Sequence, residues 1–161
     1  MKDSRADKLP KNDLNIQLMG GFAVSVDDKT IASIEKGLCV LVGVGAGDDL
    51  TDVEYMAAKL AGLRVFEDTS GKMNLDLKTI NGDMLLVSQF TLFGDARRGN
   101  RPSFTSAAEP ETARRLYENL AIELGERHGL TVRTGQFQAH MNVELVNDGP
   151  VTVLIDSKKL F

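Results

Sequence analysis

The side chains that invite a chemical role in this sequence are Ser88, Thr91, His128, His140 and Cys39. Hydrolysis by protein groups alone needs a nucleophile beside a base, or a cluster of metal ligands. The spacing supplies neither. Ser88 and Thr91 fall within Met84-Leu85-Leu86-Val87-Ser88-Gln89-Phe90-Thr91-Leu92, outside any G-x-S-x-G elbow, and hydroxyls on a strand are usually structural. His128 ends an expected helix, where an imidazole more often answers the helix dipole than does chemistry. His140 stands beside Met141 without adjacent Cys, Asp or Glu, which is weak grounds for a metal site, and none is expected. Cys39 is the only cysteine, so neither an intrachain disulfide nor a thiolate cluster can form. Set within Leu38-Cys39-Val40-Leu41-Val42, it reads as a small buried hydrophobe, because reactive thiolates need an electropositive and partly exposed setting.

Three further patterns have competing readings. Gly43-Val44-Gly45-Ala46-Gly47 follows an apolar run and precedes a helix pattern, much like a dinucleotide fingerprint. Its spacing is G-x-G-x-G, Asp48 and Asp49 put negative charge where pyrophosphate would sit, and further βαβ units are not evident, so a tight strand-to-helix turn is expected. Asn147-Asp148-Gly149-Pro150-Val151-Thr152 lies between two apolar runs and reads as a turn on composition alone. Arg97, Arg98 and Arg101 crowd one short stretch, either as a local contact for a single-stranded nucleic-acid end or as a solvated charged loop.

The elements that must position these residues follow from periodicity. Leu14 to Met19, Ala23 to Val26 and Ile31 to Ile34 are short strand patterns, with a turn at Asp27-Asp28-Lys29. Gly37 to Val44 is a near-continuous apolar run, as expected of a strand buried on both faces. Thr51 and Glu54 have capping-box spacing, and Val53, Met56, Ala57 and Leu60 share one helical face that ends near Gly62. Leu63 to Phe66 returns to strand, Asp68 to Lys72 is a loop, and Asp83 to Phe93 is expected to be the central strand. Pro110 opens a second helix with Ala113, Leu116, Tyr117, Leu120 and Leu124 on its apolar stripe, and Gly129 stops it. Strands at Leu130 to Arg133, Met141 to Val146 and Val151 to Ile155 complete an α+β chain, expected as a small β-barrel-like curved sheet with two packed helices.

Composition sets the outer limits. The 161 residues, 42% of them hydrophobic, suit one domain over residues 14–161, with polar residues 1–13 expected to be a disordered extension or remnant. No apolar run is long enough to span a bilayer and no secretory signal opens the chain, so a cytoplasmic protein without a membrane partner is expected. A net charge of −4 argues against a broad basic footprint on nucleic acid and leaves room only for a local contact.

Five segments in order, Gly71-Lys72-Met73-Asn74, Ser88-Gln89-Phe90-Thr91-Leu92, Arg101-Pro102-Ser103-Phe104, Gly135-Gln136-Phe137-Gln138-Ala139-His140-Met141 and Asn147-Asp148-Gly149-Pro150-Val151-Thr152, resemble the D-aminoacyl-tRNA deacylases over residues 14 to 157. The resemblance implies a homodimer with active sites at the interface, no cofactor, and the 3′ end of aminoacyl-tRNA as partner. It implies that the aminoacyl adenosine lies against Ser88, Gln89, Phe90 and Thr91, with Phe137, Ala139 and Met141 shaping the adenine side. Gly149 and Pro150 would enter the partner's pocket as a chiral filter that excludes L-amino acids by steric clash and lets glycine pass. A rigid backbone wedge suits that task, because D and L substrates carry identical groups and differ only in direction. Cleavage would be assisted by the ribose 2′-hydroxyl of the tRNA, with backbone donors on the carbonyl oxygen; an alternative makes Thr91 the nucleophile. One departure stands out: family members usually carry Gln-Arg-Val where this chain has Gln17-Leu18-Met19. The arginine thought to brace the Gly-Pro segment is replaced, which leaves the cis or trans state of Gly149-Pro150 open and, with a trans bond, a relaxed-chirality relative as an alternative; a non-catalytic tRNA-end binder is a separate alternative.

Overall fold

The computed structural model describes residues 14–18 and 21–159, with side chains from 21 onward. The expected extension, residues 1–13, lies outside the described residues, as does the side chain of Leu18.

Alternation in two strands builds the fold. Leu38 to Val40 in β4 (Gly37–Val42) and Met84 to Val87 in β7 (Asp83–Ser88) are all buried, as a strand covered on both faces requires. Successive side chains leave opposite faces. Leu38, Val40, Met84 and Leu86 therefore share a core with the apolar stripes of α1 (Leu50–Ala61) and α2 (Pro110–Glu126). Cys39, Leu85 and Val87 share another with Phe22 and Val24 of β2 (Phe22–Val26) and Ala32 and Ile34 of β3 (Lys29–Ile34). Helices thus cover one face of the main sheet and a smaller sheet covers the other.

The main sheet has the order β10-β1-β4-β7-β8, with β1 Leu14–Leu18, β8 Val132–Thr134 and β10 Val151–Ile155. β1 runs antiparallel to both β10 and β4, whereas β4, β7 and β8 are parallel. The smaller sheet is β3-β2-β9, with β9 at Asn142–Leu145, and β5 (Phe66–Glu67) pairs with β6 (Met73–Leu75). The class is α+β with two helices. The described strands form open sheets, and no pairing among them closes a ring of the kind a barrel-like sheet would need.

Several expectations are corrected. The centre of the sheet is β4, and the expected Asp83 to Phe93 strand stops at Ser88. Gln89 N–H still donates to Val42 O at 2.8 Å, but β4 ends there and the chain turns into a 3₁₀ helix at Phe90–Phe93. That turn buries Phe93 against Gly43, where an added Cβ would sit 2.8 Å from Phe93 Cε2. The Leu63 to Phe66 strand shrinks to Phe66–Glu67. The cap of α1 is Asp49 with Asp52, not Thr51 with Glu54: Asp49 Oδ1 accepts from Thr51 N–H at 2.8 Å and Asp52 Oδ2 from Asp49 N–H at 2.9 Å. Parallel pairing of β4, β7 and β8 supplies βαβ connections that the sequence pattern did not reveal. The glycine run is still a turn, because Gly45 N–H is occupied by Asp48 Oδ2 at 2.8 Å. Gly37 is needed for a different reason: at φ 152° its hypothetical Cβ would meet Asp83 O at 1.7 Å, so only glycine lets β4 and β7 start side by side.

Candidate active site

At the end of β7 the chain leaves the sheet, and a cleft of about 710 Å³ opens there between the start of α2 and the segment before β9. Ser88, Gln89 and Phe90 form one wall, Phe137, Ala139 and Met141 another. Two segments far apart in sequence thus meet. Ser88 and Gln89 are half-buried, while Phe90 is 57% exposed and braced edge-on by Phe104 at 5.2 Å between ring centroids. Thr91 is exposed and does not line the cleft, and the Gln89 side-chain amide donates to its hydroxyl. The motif expected on a strand is therefore split, with Ser88 on β7 and Phe90 and Thr91 on the 3₁₀ helix.

The Phe137 wall is held from α2. Tyr117 backs the ring, with 6.0 Å between centroids, and the guanidinium carbon of Arg114 lies 4.9 Å from the Phe137 centroid. Tyr117 is buried and its hydroxyl donates to Leu86 O at 2.8 Å, so the aromatic pair is tied to β7. Burial pushes the Tyr117 hydroxyl well above its ordinary range, which keeps it a donor. Leu86 O also accepts from Gly135 N–H at 2.8 Å, which fixes the start of the 137–141 segment. Gly135 is open for a reason: a Cβ there would lie 2.8 Å from Met141 Sδ, so the missing side chain makes room for Met141. Gln138 sits at φ 63° and Ala139 N–H donates to Gln136 O at 3.2 Å, a tight turn that sends 137, 139 and 141 to the cleft.

Sequence reasoning missed part of this lining. His140 and Val143 contribute, as do Ala107, Ala108 and Pro110. Ala108 N–H donates to Val44 O and Ala46 N–H to Ser106 O, both at 2.9 Å, which docks this loop on the segment that follows β4. Small residues in a loop carry no periodic signal, and Pro110 registered only as a helix start.

Gly149 and Pro150 are exposed at the tip of the turn between β9 and β10 and do not line this chain's cleft. Their peptide bond is cis, and Asn147 Oδ1 accepts from Val151 N–H at 3.3 Å across the turn. Cys39 is buried in the inter-sheet core, and desolvation raises its thiol to about 11. Arg97 Nη2 pairs with Asp95 at 2.6 Å, and that bond holds the Asp95 carboxyl well below the usual range. Among the described residues, no three His, Cys, Asp or Glu side chains cluster as metal ligands. None of the helices among them is long and apolar enough to cross a membrane.

The family model for D-Tyr-tRNA(Tyr) deacylase matches residues 16–156, which includes both walls of the cleft and the Gly149-Pro150 turn. The chain belongs to the D-Tyr-tRNA(Tyr) deacylase family. Membership makes it a hydrolase of the aminoacyl-tRNA ester class. It is 56% identical over 146 residues to a D-aminoacyl-tRNA deacylase of Thermotoga petrophila, covering 91% of this chain and 97% of that one. Over the same length and coverage it is 53% identical to a deacylase of Clostridioides difficile. Among solved structures, the c-Myc DNA Unwinding Element Binding Protein superposes with a TM-score of 0.83 at 35% identity, covering 89% of this chain and 97% of that one. A probable eukaryotic D-amino acid tRNA deacylase shares the fold, with a TM-score of 0.78 at 16% identity over 89% of this chain and 98% of that one.

Proposed function

We propose that the chain removes D-amino acids, and glycine, from the 3′ end of tRNA, holding the aminoacyl adenosine in the cleft between Ser88, Gln89 and Phe90 on one side and Phe137, Ala139 and Met141 on the other, with Thr91 following the first wall outside the lining. The observation that carries this reading is the meeting of those two segments around one opening. The chemistry it offers is positional. The leading N–H groups of a 3₁₀ helix have no intrahelical acceptor, and those of Phe90 and Thr91 have no acceptor among the described residues. Such donors suit an ester carbonyl oxygen that gains charge in the transition state. The attack itself is assisted by the ribose 2′-hydroxyl of the substrate, in keeping with a cleft in which, among the described residues, no hydrogen bond joins Ser88 to His140. Thr91 is turned into a hydrogen bond from Gln89, which favours an orienting role over a nucleophilic one.

Chiral selection is assigned to Gly149 and Pro150 of a second copy. Three features support a homodimer: the tip is exposed in its own chain, β10 is an edge strand among the described residues, and Val146 and Leu154 are 63% and 51% exposed. The test is a deacylation panel with D-Tyr-tRNA, L-Tyr-tRNA and Gly-tRNA. Hydrolysis of the D and glycyl substrates only is expected. Cleavage of all three points to relaxed chirality, and binding without cleavage to a tRNA-end binder. Thr91→Ala is expected to keep near-normal rates, and a 2′-deoxy terminal adenosine to be cleaved at least 100-fold more slowly. Unimpaired cleavage of the deoxy substrate overturns the ribose-assisted mechanism.

A further inference from the structure

We propose that Arg114 reads the phosphodiester on the 5′ side of the terminal nucleotide, as a binding residue on the rim of the cleft. The inference deepens the function proposed above and rests on it for the identity of the nucleotide.

Arg114 lies on α2 next to Ala113, which lines the cleft, and it reaches across to two residues of the opposite segment. Its guanidinium carbon is 4.9 Å from the centroid of the Phe137 ring, and Nη2 is directed at Gln138 Oε1 at 3.5 Å. Gln138 adopts φ 63°, an uncommon conformation for a residue other than glycine, and that conformation brings its amide to the rim. The ring contact places the guanidinium beside Phe137 without using its N–H donors. The group has five such donors, and one long contact to Gln138 uses only one of them.

The electrostatic setting leaves Arg114 available to an anion. The chain carries 23 acidic residues against 19 basic ones, yet no carboxylate among the described residues pairs with Arg114. Arg97, Arg127 and Lys158 are all engaged with Asp or Glu. An arginine beside an aromatic wall, with no carboxylate partner among the described residues, is suited to a phosphodiester, whose two non-bridging oxygens can accept a pair of guanidinium N–H bonds. A nucleotide whose base enters beside Phe137 carries its 5′ phosphate in the same region. One such contact gives a chain of net negative charge a local grip on RNA without a basic face.

The experiment is a binding titration of the full chain with two probes, a short RNA oligonucleotide ending in a 3′ adenosine and free adenosine, for wild type, Arg114→Ala and Arg114→Lys. The alanine variant is expected to bind the oligonucleotide about tenfold more weakly and adenosine within about twofold of wild type. The slope of log affinity against log salt should flatten by about 0.7, the share of one phosphate contact on a single strand. Lysine keeps the charge but not the guanidinium fork, so it should restore the salt slope while recovering only part of the oligonucleotide affinity. Arg114 is exposed, so the variants test the contact rather than folding. Unchanged oligonucleotide affinity, an equal loss for both probes, an unchanged salt slope, or no oligonucleotide binding by wild type each overturns the inference. Binding needs no turnover, so a wild type that binds but does not hydrolyse sinks the proposed function alone. A hydrolase indifferent to Arg114→Ala sinks this inference alone.

Discussion

Tyr117 supports the cleft without lining it. Its hydroxyl ties α2 to Leu86 O, and its ring backs Phe137. Tyr117→Phe keeps the ring and removes the donor, and Leu86 O retains its bond from Gly135 N–H, so no acceptor is orphaned. Urea unfolding should therefore show a loss of about 0.5–1.5 kcal/mol, and a loss above about 3 kcal/mol would show that the hydroxyl holds more than one bond's worth of structure. At this scale the sequence was legible where local context decides. Cys39 reads as inert from its apolar neighbours, and it is buried. His140 was set aside as a weak metal candidate, since nothing in its neighbours announces a cleft.

At the scale of elements, side chains bonded to nearby backbone fix the boundaries. Asp68 organises the turn between β5 and β6: it accepts from Ser70 Oγ, from the N–H groups of Ser70 and Lys72, and from the Asn74 amide. The Ser70 hydroxyl, followed by the two backbone donors, lowers its carboxyl to about 2 from an ordinary 3.8. The folded value lies below the unfolded one, so the contribution of Asp68 to stability is fully present above about pH 4 and is lost as pH falls through about 2. Thermal melts from pH 5 to pH 2 should show Asp68→Asn losing less stability on acidification than the parent, and parallel curves would count against this role. Periodicity predicted both helices and most strands, because apolar spacing is local information. It misplaced the α1 cap by choosing Thr51 over Asp49, since several polar residues in a row offer equivalent spacings and only geometry selects one. It also ran β7 on to Phe93, because an apolar run does not show that the neighbouring strand has ended.

The whole molecule is two cores divided by one sheet, and their loss should be felt globally. Leu60 of α1 is fully buried in the helix-side core. Leu60→Ala should cost about 2–5 kcal/mol through lost burial and an incompletely filled cavity, measured by chemical denaturation; a cost under 1 kcal/mol would mean that the helix layer collapses to fill the space. The sequence by itself determined the α+β composition, the inert thiol, the turn at Asn147 to Pro150 and the family motifs, all of which depend on residues close together in the chain. Only the tertiary structure decided that β4 is central, that β4, β7 and β8 run parallel, and that Ser88 to Phe90 face Phe137 to Met141 across one cleft. Those relations are set by which buried faces meet in three dimensions. Apolar spacing names the faces but not their partners.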